Sequence, residues 1–166
     1  MKRIFKSFLL LIVCLSLGAC SCFKKEKTYS GNGMSITMED GFYEKEIVAA
    51  TYYLESTSAI MHALKEEFQT LLPSSTTLQR YATMVQNNNR LESEVSSREN
   101  EEYLYFEYEK TANGKDFFYL ATVHKADDSF WLIQFACSQD DKEDYKDKFL
   151  KWADTITFDN QDNSHE

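Results

Sequence analysis

The clearest alternation of apolar and polar positions lies in residues 115–137, KDFFYLATVHKADDSFWLIQFAC. Two runs of β-branched and aromatic residues flank the polar stretch Lys125-Ala126-Asp127-Asp128-Ser129, the pattern of two adjacent antiparallel strands joined by a turn. In the second run, Phe130, Leu132 and Ala136 share one face and Trp131, Ile133, Phe135 and Cys137 the other, with Gln134 as the one polar interruption. A strand apolar on both faces needs cover on both, so this run is expected at the centre of its sheet, with helices or irregular structure on each side. Residues 103–110 (YLYFEYEK) read as a further strand, and Asn113-Gly114 as the two-residue hairpin turn that joins it to the pair. Three strands thus form a meander.

Upstream, residues 34–38 (MSITM) alternate as a first strand, Glu39-Asp40-Gly41 turns, and residues 47–54 (IVAATYYL) form a second strand with Val48, Ala50 and Tyr52 on one face. Residues 58–71 are ambiguous. Ile60, Ala63, Leu64, Phe68, Leu71 and Leu72 fit a 3.6-residue period, yet Ile60, His62, Leu64 and Phe68 can equally lie along one side of a strand. Pro73-Ser74-Ser75-Thr76-Thr77 starts a helix whose apolar stripe is Leu78, Tyr81, Ala82 and Val85, and Asn87-Asn88-Asn89 ends it through the left-handed position that Asn tolerates. Residues 90–102 carry five glutamates and read as exposed strand and loop. Ser138 and Asp141 resemble a capping box for a last helix with Tyr145, Phe149, Trp152 and Ala153 on its apolar face. Asp140, Asp141, Glu143 and Asp144 suit the positive end of that helix, residues 155–158 are extended, and 159–166 form a frayed polar tail.

The first twenty residues, MKRIFKSFLLLIVCLSLGAC, follow a different logic. Lys2, Arg3 and Lys6 precede a short apolar run over 8–17, and the small residues Gly18 and Ala19 precede Cys20, the layout of a secretory signal. The run falls short of the roughly 20 apolar residues of a transmembrane helix. Leu17-Gly18-Ala19-Cys20 resembles the bacterial lipobox. That resemblance implies cleavage between Ala19 and Cys20, a diacylglycerol on the Cys20 thiol, acyl chains such as palmitate, and an extracytoplasmic domain held on a membrane of the bacterial cell envelope. Residues 1–19 are then a signal peptide, 20–33 the lipidated cysteine and a flexible polar tether, and 34–158 one folded domain.

Charge narrows the partners. The formal net charge is -9, and losing Lys2, Arg3 and Lys6 with the signal makes it -12. Such a domain repels phosphate backbones and anionic lipid heads, which argues against nucleic acid as a partner and against adsorption to a membrane by surface charge alone. Of the four cysteines, Cys14 leaves with the signal, Cys20 takes the lipid, Cys22 sits in the tether and Cys137 reads as a small buried hydrophobe. No CxxC pair occurs, so neither a redox motif nor a zinc site is expected.

No motif names a reaction. His62, His124 and His165 are isolated, and no GxSxG elbow, P-loop or GxGxxG is present. The acidic groups Asp127-Asp128 and Asp140-Asp141-Asp144 lack the spacing of a calcium loop and read as a solvated turn and a helix start. No catalytic residue, metal or cofactor is therefore expected. Tyr52, Tyr103, Tyr105 and Tyr119 lie on strands; most should be core, and a subset could line a peptide or glycan groove.

The run FFYLATVHKADDSFWLIQFAC, followed by an acidic helix and KWADTITF, resembles the small bacterial lipoproteins of the PsbP-like (DcrB-like) class across nearly all of the mature domain. The resemblance implies an α+β fold, an antiparallel sheet with helices packed on its faces, and it favours a strand over residues 59–66. It carries no site residue and no activity, since these are motifs of fold. The expectation is a membrane-anchored, non-catalytic domain binding an envelope protein, peptide or glycan. An envelope hydrolase, marked by a pocket gathering His62 or His124 with a carboxylate, and a small solute-binding component of a transporter are the alternatives.

Overall fold

The computed structural model describes residues 25–98 and 103–159. The expected signal peptide, Cys14, the expected Ala19–Cys20 cleavage and lipidation site, Cys22 and the expected tail from residue 160 lie outside the described residues. Among the described residues ten strands and two α-helices follow in the order β1 (Glu26–Gly31), β2 (Met34–Glu39), β3 (Tyr43–Glu44), β4 (Tyr52–Glu55), β5 (Ala59–Glu67), α1 (Leu78–Asn89), β6 (Ser96–Ser97), β7 (Tyr103–Ala112), β8 (Lys115–Lys125), β9 (Ser129–Ser138), α2 (Lys142–Ala153) and β10 (Thr157–Phe158). The main sheet is antiparallel, in the order β3-β4-β5-β9-β8-β7-β6, so β9 holds the middle as its two-sided apolar pattern requires. The meander β7-β8-β9 also forms, with Asn113 and Gly114 both at positive φ (53° and 74°) in the two-residue turn.

The two faces of this sheet are covered differently. On one face, α2 and a small sheet of β1, β2 and β10 enclose the larger core. Phe135, Trp131 and Ile133 of β9 meet Phe118 and Leu120 of β8, Phe149 and Trp152 of α2, and Met34, Ile36 and Met38 of β2 there. Phe135 packs against Phe149 at 5.3 Å between ring centroids. On the other face, α1 lays Tyr81, Ala82 and Val85 over Phe106, Ala121, Val123, Phe130 and Leu132. Tyr81 stacks on Phe130 at 4.5 Å.

The ambiguous segment is a strand, β5, paired to β9 along its whole length. Ala59, Met61 and Ala63 enter the larger core, while Ile60, His62 and Leu64 are half-buried on the opposite face. A period of two fits this environment because β9 needed a long partner on its second edge.

Four expectations are corrected. Residues 26–31 are not tether but strand β1, paired with β2 through a turn at Asn32-Gly33, whose φ values are 54° and 90°. Tyr29 alone is buried in β1, so the strand has almost no hydrophobic period, yet Asn32-Gly33 is the same hairpin signal as Asn113-Gly114. The strand expected over 47–54 forms only as β4 from Tyr52, while Ile47 and Val48 are exposed in a loop. That loop is fastened by Thr51, whose amide donates to the Ala63 carbonyl and whose hydroxyl accepts from Lys65 N–H. No capping box forms at Ser138; a 3₁₀ turn over Gln139–Asp141 leads into α2 without a side-chain cap bond. Helix α1 does start at the Thr77 cap, but Arg90, not an asparagine, takes the left-handed position at φ 56°.

Phe135 is fully buried between two layers, so Phe135→Ala should cost about 3–5 kcal/mol of stability. Urea unfolding of the two proteins checks this, and an unchanged midpoint contradicts the assigned packing.

Candidate functional site

Helix α1 covers one half of its face and leaves the other half open. The open half carries two neighbouring cross-strand rows. The register aligns Tyr53, His62 and Gln134 in one and Ile60, Ala136, Tyr119 and Tyr108 in the other. Apart from Ala136, these side chains are half-buried, with no described helix over them.

The first row is a hydrogen-bonded chain. The Ala49 carbonyl accepts from His62 Nε2 at 2.9 Å, His62 Nδ1 lies 3.2 Å from Gln134 Oε1, and Gln134 Nε2 donates to the Tyr108 hydroxyl at 2.5 Å. Because the Ala49 carbonyl only accepts, His62 Nε2 is the donor and Nδ1 the acceptor, so the Gln134 amide turned end for end, with its N–H to Nδ1 and its carbonyl to the Tyr108 O–H, completes the chain in one direction. Tyr53 meets His62 edge to face at 6.4 Å between centroids. Burial, reinforced by Glu55, holds the Tyr53 phenol above its ordinary pKa, and burial does the same for Tyr108.

The second row contains a depression. Tyr119 stacks flat on Tyr108 at 4.8 Å and 4°. On its other flank stands Ala136, the smallest side chain of the row, followed by Ile60. A groove of about 660 Å³ opens there, floored by Ile60, Ala136, Tyr119 and Phe117. The β4–β5 turn (Ser56, Thr57, Ser58) and the β7–β8 turn (Asn113) flank it, with Lys115 and Asp141 at the rim.

The four tyrosines singled out in the sequence do not share this site. Tyr52 is buried in the larger core, close against Gly31, where a Cβ would meet its ring at 2.6 Å. Burial, with Glu44 beside it, pushes its phenol up to about 12. Tyr103 is buried too, and its hydroxyl donates to Asp154 at 2.7 Å, tying β7 to the end of α2. Tyr105 lies on the α2 face of the sheet beside the larger core. Tyr119 alone of the four lines the groove. Tyr108, Gln134, His62 and Phe117 were missed as groove neighbours because their adjacent rows exist only once the strand register is known.

The two histidines among the described residues, His62 and His124, stand on opposite faces. His124, on the α2 side, is buried between Tyr103 (stacked, 4.9 Å) and Phe158 (edge to face, 5.5 Å), and its Nε2 is 2.9 Å from the Thr122 hydroxyl. It borders a cavity of about 340 Å³ that Asp127 and Asp159 also line. Burial lowers its pKa to about 3, so the ring is neutral at pH 7 and a poor base. Among the described residues, no group of three or more His, Cys, Asp or Glu could hold a metal ion, and no helix is long and apolar enough to cross a membrane.

The fold is PsbP-like. The solution structure of cyanobacterial PsbP (CyanoP) from Synechocystis sp. PCC 6803 matches with a TM-score of 0.58 at 13% identity, over 86% of this chain and 98% of that one. A crystal structure from Bacteroides thetaiotaomicron VPI-5482 matches with a TM-score of 0.54 at 8% identity, over 82% of this chain and 49% of the other. No protein-family model matches the chain, and no curated protein sequence does. At such identities the likeness is one of fold, and no residue role passes to this chain.

His124 also sets a pH dependence. The unfolded chain takes up this proton near pH 6.5, the folded chain only near pH 3. The unfolded state therefore binds more protons in between. The contribution to stability is whole above pH 6.5 and falls as pH drops toward 3, by up to about 1.4 kcal/mol per pH unit. Urea unfolding at pH 7.5 and 5.0 should show a loss of about 2 kcal/mol that His124→Phe removes. Parallel losses in both proteins would contradict it.

Proposed function

We propose that this chain is a lipid-anchored, extracytoplasmic binding domain that works without catalysis. The observation that carries the reading is the open half-face itself, a groove floored by aromatic and aliphatic side chains beside a hydrogen-bonded row of polar groups. The ring nitrogens of His62 face an amide and a carbonyl, not a carboxylate. The second histidine, His124, is bonded to Thr122 and depressed in basicity. These arrangements suit recognition and not proton transfer. The hydrolase alternative, which looks to a histidine with carboxylates in one pocket, finds Asp127 and Asp159 near His124 but a ring unfit to act as a base.

The anchor rests on the N-terminal sequence, the basic start, the apolar run and Leu17-Gly18-Ala19-Cys20. Strand β1 shortens the tether, because only residues 21–25 separate Cys20 from it. Five residues span about 17 Å at most. A lipid on Cys20 thus keeps the domain against the membrane surface and raises its effective concentration toward partners there.

Intact-mass analysis of the protein purified from membranes tests the anchor. The expected mass begins at Cys20 and includes a diacylglycerol. Cys20→Ala should lose both the lipid and the membrane association. A wild-type mass without lipid overturns the anchoring, leaving the groove to be tested in a freely secreted protein.

A further inference from the structure

We propose that the groove takes a neutral oligosaccharide, with one pyranose ring laid on Tyr119 above Ala136 and its hydroxyls turned toward the Gln134–His62 row. The inference rests on the reading of this groove as the binding site, and it names the class of ligand.

Shape comes first. Tyr108 occupies one face of the Tyr119 ring, and the small Ala136 leaves space on the other flank, within a groove of about 660 Å³. The face of an aromatic ring is electron-rich, and the C–H bonds of a pyranose present their slightly positive hydrogens to it. A pyranose chair and a tyrosine ring are both rigid, so little conformational freedom is lost when a C–H face of the chair lies on the aromatic plane.

Hydrogen bonding points the same way. A sugar hydroxyl both donates and accepts. Beyond its bonds within the row, the Gln134 amide keeps a second N–H and a second carbonyl lone pair, and the Tyr108 hydroxyl can both donate and accept. The row can therefore offer a sugar hydroxyl either a donor or an acceptor. A peptide is served less well. In β5, β9 and β8 the main chain is engaged in the ladders on both sides, so a peptide lying across this face would find no backbone partner. Peptide recognition by strand addition needs a free edge.

Charge selects against other polymers. The groove floor of Ile60, Ala136, Tyr119 and Phe117 is uncharged, and the charges around it come in both signs: Lys115 and Asp141 at the rim, Glu55 beside Ile60 and Lys110 over the Tyr108 ring. The chain as a whole has a net charge of -9. An anionic polymer is repelled by the domain, and a cationic one finds no counter-charge in the floor. A neutral, polyhydroxylated ligand meets neither obstacle.

The test uses the full mature protein purified from membranes in a zwitterionic detergent, titrated calorimetrically with cellohexaose, N-acetylchitohexaose and maltohexaose. Saturable binding of at least one is expected. Tyr119→Ala should weaken it roughly tenfold or more, while Tyr119→Phe, which keeps the ring, should stay within about threefold. Ile60→Trp fills the groove without removing an aromatic floor residue and should abolish binding, which keeps the test valid if Tyr119→Ala fails to fold. Absence of binding to all three sugars, or binding indifferent to both Tyr119→Ala and Ile60→Trp, overturns the inference. A photo-crosslinking residue at Phe117 in intact cells separates the two readings. A protein adduct without sugar binding overturns the glycan inference and leaves a binding groove in place; neither adduct nor sugar binding overturns both.

Discussion

Burial of β9 on both of its faces is the constraint from which the architecture follows. Phe130, Trp131, Leu132, Ile133, Phe135, Ala136 and Cys137 are all buried, so each face of the strand needs its own apolar partner. Each buried aromatic ring removes on the order of 150–250 Å² from water, and no single helix can cover both sides of a strand. The chain answers with two cores, one on either side of the main sheet. Strands β5 and β8 then pair with β9 along nearly their whole lengths, which fixes the register of everything outside them.

The two covers differ in extent, and that difference makes the site. The α2 side has a helix and a second small sheet. The α1 side has one helix of 12 residues, about 18 Å long, over strands of 10 or 11 residues that run to about 35 Å. The half beyond the reach of α1 changes composition accordingly. Where α1 sits, the sheet offers Phe106, Val123 and Leu132; beyond it the same face turns to Gln134, His62, Tyr108 and Tyr119. These are residues that keep polar groups in contact with water or a ligand while their rings still pack.

Charged groups are arranged around this plan. Lys142 and Lys146 of α2 pair with Glu109 and Glu107 of β7, Lys148 pairs with Glu39, and Arg98 pairs with Asp154. All are partly exposed, and such pairs contribute on the order of 0–1 kcal/mol each. Their effect is more positional than energetic. They fasten α2 along the larger core, on the face to which strand alternation directs Glu107 and Glu109.

Much of the fold was legible in the chain alone. The apolar run 130–137, the Asn113-Gly114 turn and the Tyr145, Phe149, Trp152 stripe each repeat a local period strongly enough to determine a central strand, a hairpin and a packed helix. The lipobox-like start is likewise a resemblance carried by the sequence alone, in residues outside those the structure describes. Other features had no local signature. Strand β1 carries one buried residue and is held by its pairing with β2, and the 59–67 segment becomes a strand because β9 offers it an edge. The groove is a consequence of register. Tyr119, Ala136 and Ile60 are far apart in sequence and become neighbours only when three strands align, so tertiary structure alone decided that a small residue stands beside an aromatic ring and leaves room for a ligand.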